Sequence, residues 1–325
     1  MLRLLLLTVA GAWALGAQAP VGGPSLGFVF DARGQALRPI RGIPGASIFG
    51  DPLQLPAPVT TGVLSLKQNF AIINDGAWEA LSLASASDPV PLPDRIPAAA
   101  RVSVSDDGQA AAFYDADGGT LTVATGAGYA SLRSVPLPGA ISAFAVASGG
   151  GLLLTTTSPD SGEALLWIDS DGNSRQLATL QKTASILLTN NGATAIVTDS
   201  GANQIWRVQD PGGNAALTPL ASDSDGVSGP VAAALTADGN GLWIANAGAH
   251  QLLGINLTDR TTATIDCAFD LTGLVPMPDG VTYRLNEVGA GPLWLLDASR
   301  DNGPRLVFVP ALVPPPTSTS EEDAQ

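Results

Sequence analysis

Residues able to do chemistry are scarce in this chain, and most are acidic. Its 325 residues hold one histidine, His250, and one cysteine, Cys267, beside 29 carboxylates and only 15 lysines and arginines. A single histidine rules out a histidine-rich metal site. A Ser-His-Asp site would have to recruit His250, and "GASIFG" from Gly45 is a poor imitation of a nucleophile elbow. No glycine-rich phosphate loop follows a strand and opens a helix. What remains is oxygen chemistry. Asp75, Asp115, Thr157, Asp199, Asn246 and Glu287 each stand seven residues beyond a turn position, so five of the six are carboxylates or amides.

Two readings of that series stay open. Each side chain could cap its own hairpin by accepting a backbone N–H bond. Alternatively, Asp75, Asp115, Asp199, Asn246 and Glu287 could form an acidic ring able to hold a hard cation such as Ca²⁺, or a cationic partner. A few of them around one divalent ion at a channel mouth would suit a metal-assisted lactonase.

Other acidic spots are weaker. "DSDGN", with Asp169 and Asp171, resembles part of a calcium loop but lacks the downstream bidentate glutamate and reads as a plain turn. "SDSDGVSGP", with Asp223 and Asp225, is a connecting loop at the widest departure from the repeat, and is a candidate for partner contact. His250 lies in a turn and is a second contact candidate. Cys267 reads as a buried small apolar residue, with nothing cationic nearby to lower its pKa.

The elements that must position these residues repeat along the chain. The turn positions Gln68, Gly108, Gly150, Gly192, Gly239 and Gly280 are spaced by 40, 42, 42, 47 and 41 residues. Periods of this size mark propellers or solenoids. The clearest unit contains four short strands: "PVAAALTA" (A), "LWIANA" (B), "QLLGIN" (C) and "TTATID" (D). Glycine, asparagine and aspartate between them tolerate the positive φ of tight hairpins. Trp206, Trp243 and Trp294 fall on B or C strands, where large aromatics would fill the wedge between neighbouring units.

The expected fold is therefore an all-β propeller of seven four-stranded blades spanning 20–312, with six blades and an N-terminal extension as the alternative. The seventh blade would come from residues 26–56. There "GFVFDARGQALRPI" resembles the C–D hairpins elsewhere, while "RGIPGASIFGDPLQLP" fits no strand template well.

The ends read differently. Arg3, an apolar run from Leu4 to about Ala14 and the small residues Ala17-Gln18-Ala19 have the layout of a secretory signal peptide over 1–19. "VPPPTSTSEEDAQ" at 313–325 is Pro-rich, then polar and acidic, and is expected to be disordered. The formal net charge of −14 would be repelled by phosphate backbones, so nucleic acid is excluded as a partner.

"AIVTDSGANQIWRV" and "GVSGPVAAALTADGNGLWIANAGAHQLLGI" are similar to the NHL-type and YVTN-type repeats of bacterial exported β-propellers, at Asp199, Gly201, Asn246 and Gly248. The resemblance is good in two units, partial in four and poor before residue 60. It implies blades arranged in a circle but carries no function, since the fold serves binders, lactonases and oxidoreductases alike. The expectation is a secreted or periplasmic, monomeric, non-enzymatic module presenting a loop-built face to a protein or carbohydrate, with no membrane insertion once the signal is removed. The competing expectation is the metal-dependent hydrolase.

Overall fold

A computed structural model describes residues 23–84, 88–97, 100–158, 162–299 and 303–312. The expected signal peptide and tail lie outside these residues. The described chain is all-β, apart from four single-turn 3₁₀ segments, and forms seven antiparallel sheets.

Blade 1 consists of β1 (Ser25–Asp31), β2 (Ala36–Ile43) and β3 (Ala46–Phe49). Blade 2 has β4 (Thr61–Leu64), β5 (Phe70–Asn74), β6 (Trp78–Ser82) and β7 (Val90–Pro91). Blade 3 has β8 (Arg101–Val104), β9 (Ala110–Asp115), β10 (Thr120–Thr125) and β11 (Ser131–Pro136). Blade 4 has β12 (Ile141–Val146), β13 (Leu152–Ser158), β14 (Gly162–Ile168) and β15 (Ser174–Leu180). Blade 5 has β16 (Thr183–Thr189), β17 (Thr194–Asp199), β18 (Gln204–Gln209) and β19 (Ala216–Ala221). Blade 6 has β20 (Pro230–Leu235), β21 (Gly241–Asn246), β22 (Gln251–Asn256) and β23 (Thr262–Asp266). Blade 7 has β24 (Val275–Pro276), β25 (Thr282–Arg284), β26 (Leu293–Asp297) and β27 (Arg305–Val309).

In blades 2 to 7 the four strands pair in chain order, so the A strand is innermost and D outermost. The A–B and C–D turns therefore share one end of the ring. The B–C turns and D–A connections share the other.

Alternation along the middle strands explains why the sheets stack radially. In β9, Ala110, Ala112 and Tyr114 face blade 4, while Ala111 and Phe113 face blade 2. In β21, Leu242 and Ile244 face blade 5, while Trp243 and Ala245 face blade 7. A strand buried on both faces must be apolar at both parities. Seven apolar clusters result, one at each blade interface, including one that joins blade 7 to blade 1 through Leu26, Val29, Ile40, Leu295 and Val309. Packing thus closes the ring.

Seven blades are present, as the repeat length requires, but the first departs from the template. The β1–β2 hairpin does not occupy the C–D position. Its turn end lies beside the start of β4, since a Cβ on Gly62 would come within 3.0 Å of Phe30 and 3.3 Å of Leu37. Its other end meets Gln68, in the A–B turn of blade 2. This places β1 and β2 as B and C strands, with β3 as D. "RGIPGASIFG", which matched no template, supplies the end of β2, a hairpin at Pro44-Gly45 and β3. Among the described residues, blade 1 has no A strand.

Gln68 explains its own presence where the other turn positions hold glycine. It adopts φ 50°, and its carboxamide accepts from Phe28 N–H and donates to Phe28 C=O. A side-chain amide pairs there as a neighbouring strand would.

Candidate functional site

At the B–C end, Asp199, Asn246 and Asp115 are turned to bonds with the backbone, and Asp75, Thr157 and Glu287 are not. Asp199 is buried and accepts from Gln181 N (2.9 Å), Lys182 N (3.0 Å) and Ala202 N (3.2 Å). It ties the D–A connection of blade 5 to its own B–C turn. Asn246, fully buried, does the same in blade 6, accepting from Ser228 N (3.2 Å) and donating to Gly226 O (2.9 Å). Asp115 accepts from Asp117 N at 3.2 Å, and Thr157 is exposed.

Asp75 is one residue off register. The β5 terminus is Asn74, which is buried and accepts from Gly76 N at 3.0 Å. In blade 1 the equivalent is Asp31, which accepts from Gly34 N (2.9 Å) and Arg38 Nε (2.9 Å). Neither residue was singled out from the sequence. The signal for Asp31 was present in "FVFDARG", whose carboxylate precedes a turn as Asp199 does. Glu287 sits in the loop beyond β25, exposed and paired with Arg284. Among the described residues, no group of three or more His, Cys, Asp or Glu side chains converges as a metal site.

The contact candidates divide. His250 is exposed at φ 49°, with Nδ1 4.0 Å from Asp270. Asp223 is exposed in a short 3₁₀ turn. Asp225 is committed: it accepts from Arg260 at 2.6 Å and from Ser222 N at 3.0 Å, bridging blades 5 and 6. Asp169 accepts from Asp171 N, Asn173 N and Asn173 Nδ2, closing the C–D turn of blade 4. The Asn173 bonds hold its carboxyl below the usual range.

Cys267 is buried, and burial pushes its thiol up from the ordinary value. Its reaction with a disulfide reagent at pH 8 is expected to be at least about a hundredfold slower in native protein than in guanidinium. Equal rates in the two conditions would show the thiol to be accessible.

The opposite end carries the concave feature. A groove of about 590 Å³ opens between blades 6 and 7 at their A–B and C–D turns. Its floor is a row across blade 6. Trp243 pairs with Gly254, which pairs with Ala263. A Cβ on Gly254 would stand 2.6 Å from the Trp243 ring, so glycine makes room for the indole. Tyr283 closes the blade 7 side, its hydroxyl donating to Leu235 O at 3.3 Å. Exposed Val281 flanks it. Asp238 lines the mouth and accepts from Thr236 Oγ1 (2.6 Å) and Asn240 N (3.1 Å). Burial, then Asp279 and Asp238, push the Tyr283 phenol up to about 12. The groove is thus an apolar slot in a negative field. Local sequence could not reveal it, because its walls come from two blades.

Also at the A–B end, Asp106 is buried and accepts from Asn191 N at 2.9 Å, with Lys67 Nζ 4.0 Å away. These bonds draw together turns of blades 2, 3 and 5.

Fold and site define a seven-bladed β-propeller. No protein-family model and no curated protein matches the sequence. Solved structures do match. A protein from Lactobacillus plantarum is 16% identical, with 89% of this chain and 95% of that one covered and a TM-score of 0.58. A streptogramin B lyase is 15% identical over 81% and 87%, TM-score 0.57. The virginiamycin B lyase of Staphylococcus aureus is 17% identical over 78% and 84%, TM-score 0.54. At these identities the likeness establishes the fold alone.

Proposed function

We propose that this chain is an exported, monomeric, non-catalytic propeller that binds a protein, and that the groove between blades 6 and 7 receives an apolar side chain of that partner flanked by cations. The observation that carries this reading is the slot itself: apolar, of ligand-pocket size and rimmed by Asp238. The net charge of −14 steers basic partners toward it and repels nucleic acid. The acidity of the chain favours a basic protein over a neutral carbohydrate as the partner. The export reading is supported by Arg3, the following apolar run and Ala17-Gln18-Ala19, and by the likeness to exported NHL- and YVTN-type repeats. No helix among the described residues is long and apolar enough to cross a membrane.

Short peptides with one leucine or phenylalanine between lysines test the reading, beside the same peptides with glutamates. The lysine peptides are expected to bind more tightly, by at least about tenfold, and to weaken with salt. Ala263→Trp, which fills the slot, is expected to abolish the difference. Equal binding of both peptide sets, or binding untouched by Ala263→Trp, would overturn the proposal.

A further inference from the structure

The outer end of the groove between blades 6 and 7 is backbone as well as side chain. Thr261, Thr262 and Ala263 line it, the last two on β23, the outermost strand of blade 6. Asn256 N donates to Thr261 O, and Cys267 N to His250 O, both at 2.8 Å across the β22–β23 pair. In an antiparallel ladder the residues between such pairs turn their own groups the other way. Thr261, Ala263, Ile265 and Cys267 therefore face β22. Thr262 and Thr264 direct N–H and C=O outward, where no strand lies among the described residues. Of these two, Thr262 lines the groove.

Sheet edges are ordinarily guarded, and here the guard is missing. Proline stands on β7 (Pro91), β11 (Pro136) and β19 (Pro219), and arginine on β11 (Arg133), β15 (Arg175) and β27 (Arg305). Both residue types discourage edge pairing. β3 and β23 carry neither, and of the D strands only β23 lines the groove. Its one charged residue, Asp266, stands at the end remote from the groove. A residue placed antiparallel opposite Thr262 would exchange both N–H···O bonds with it. Its chain neighbours would stand opposite Thr261 and Ala263, in the non-bonded register where side chains come closest. Ala263 and its cross-strand partner Gly254 are small, so a long apolar side chain beside them can lean into the groove toward Trp243. Exposed Asp259, just before β23, places a carboxylate beside this edge, while Arg260 is committed to Asp225. Lysine or arginine therefore suits the residues flanking that side chain.

We propose that the partner segment received by the groove is extended and basic, and pairs antiparallel with Thr262 as a fifth, outermost strand of blade 6. This pairing presupposes the groove as the binding site, and N-methylated forms of the lysine-flanked leucine peptide separate the two. The leucine nitrogen would face away from β23, so methylating it is expected to change affinity by less than about threefold. Methylating both flanking lysine nitrogens is expected to weaken binding at least about tenfold, because the N–H that Thr262 C=O accepts is lost. Thr262→Pro removes an outward N–H and none from the ladder. It is expected to weaken the unmodified peptide as much, while moving the melting temperature by less than about 2 °C. Equal tolerance of methylation at both sites, with lysine peptides still preferred over glutamate ones, would overturn the strand pairing and leave the groove reading standing. Equal loss at both sites, or undiminished binding to Thr262→Pro, would do the same. Absence of any lysine preference in the unmodified peptides would overturn both.

Discussion

Asp199→Ala is expected to lower unfolding free energy by about 3 kcal/mol, because three backbone N–H groups lose a charged acceptor in a buried site. In a chain of this size that is a fall of roughly 4–6 °C in melting temperature. The same experiment separates the two readings of the acidic rim. A cap loses stability with or without calcium. A ligand of a bound cation would instead show calcium raising the melting temperature of the native chain, with that rise lost in the variant. The account expects no calcium shift at millimolar concentration in either protein. A shift of several degrees that Asp199→Ala abolishes would instead support the metal reading, and with it the hydrolase.

Phe113→Ala is expected to cost still more, about 3–5 kcal/mol. Phe113 lies on the middle of β9, is 1% exposed and meets Trp78 of blade 2 edge-on at 5.3 Å. Removing the ring leaves a cavity in one of the seven wedges, and the neighbouring sheets are held on their other faces, so collapse into the gap is limited. Equilibrium denaturation with guanidinium reads the loss as an earlier midpoint. A change below about 1 kcal/mol would mean that the blade 2–blade 3 wedge is not close-packed.

These two residues also show what the sequence could and could not disclose. The wedge was legible because alternation is local: Ala111 and Phe113 differ in parity from Ala110 and Ala112 whatever the rest of the chain does. The period placed Asp199 and Asn246 on one rim for the same reason. Whether they hold a cation or a backbone amide depends on the D–A connection, which enters from the outer strand about eighteen residues away in sequence. Register failed in blade 2, where counting from Gln68 reached Asp75 and the strand ends at Asn74. Blade 1 was misassigned because a lone hairpin carries no mark of its radial position. That position is set by Gly62 and Gln68 of the next blade. The groove needed both Gly254 opposite Trp243 and a seventh blade whose β24 and β25 are only two and three residues long.

The central claim is that partner binding belongs to the slot between blades 6 and 7 and not to the acidic rim at the other end. Hydrogen exchange of the native protein with and without the lysine-flanked leucine peptide tests it directly. The account predicts slowing confined to residues 236–243, 254–263 and 280–283. Slowing at 199–203, 246–250 and 286–290, with the slot unchanged, would contradict it.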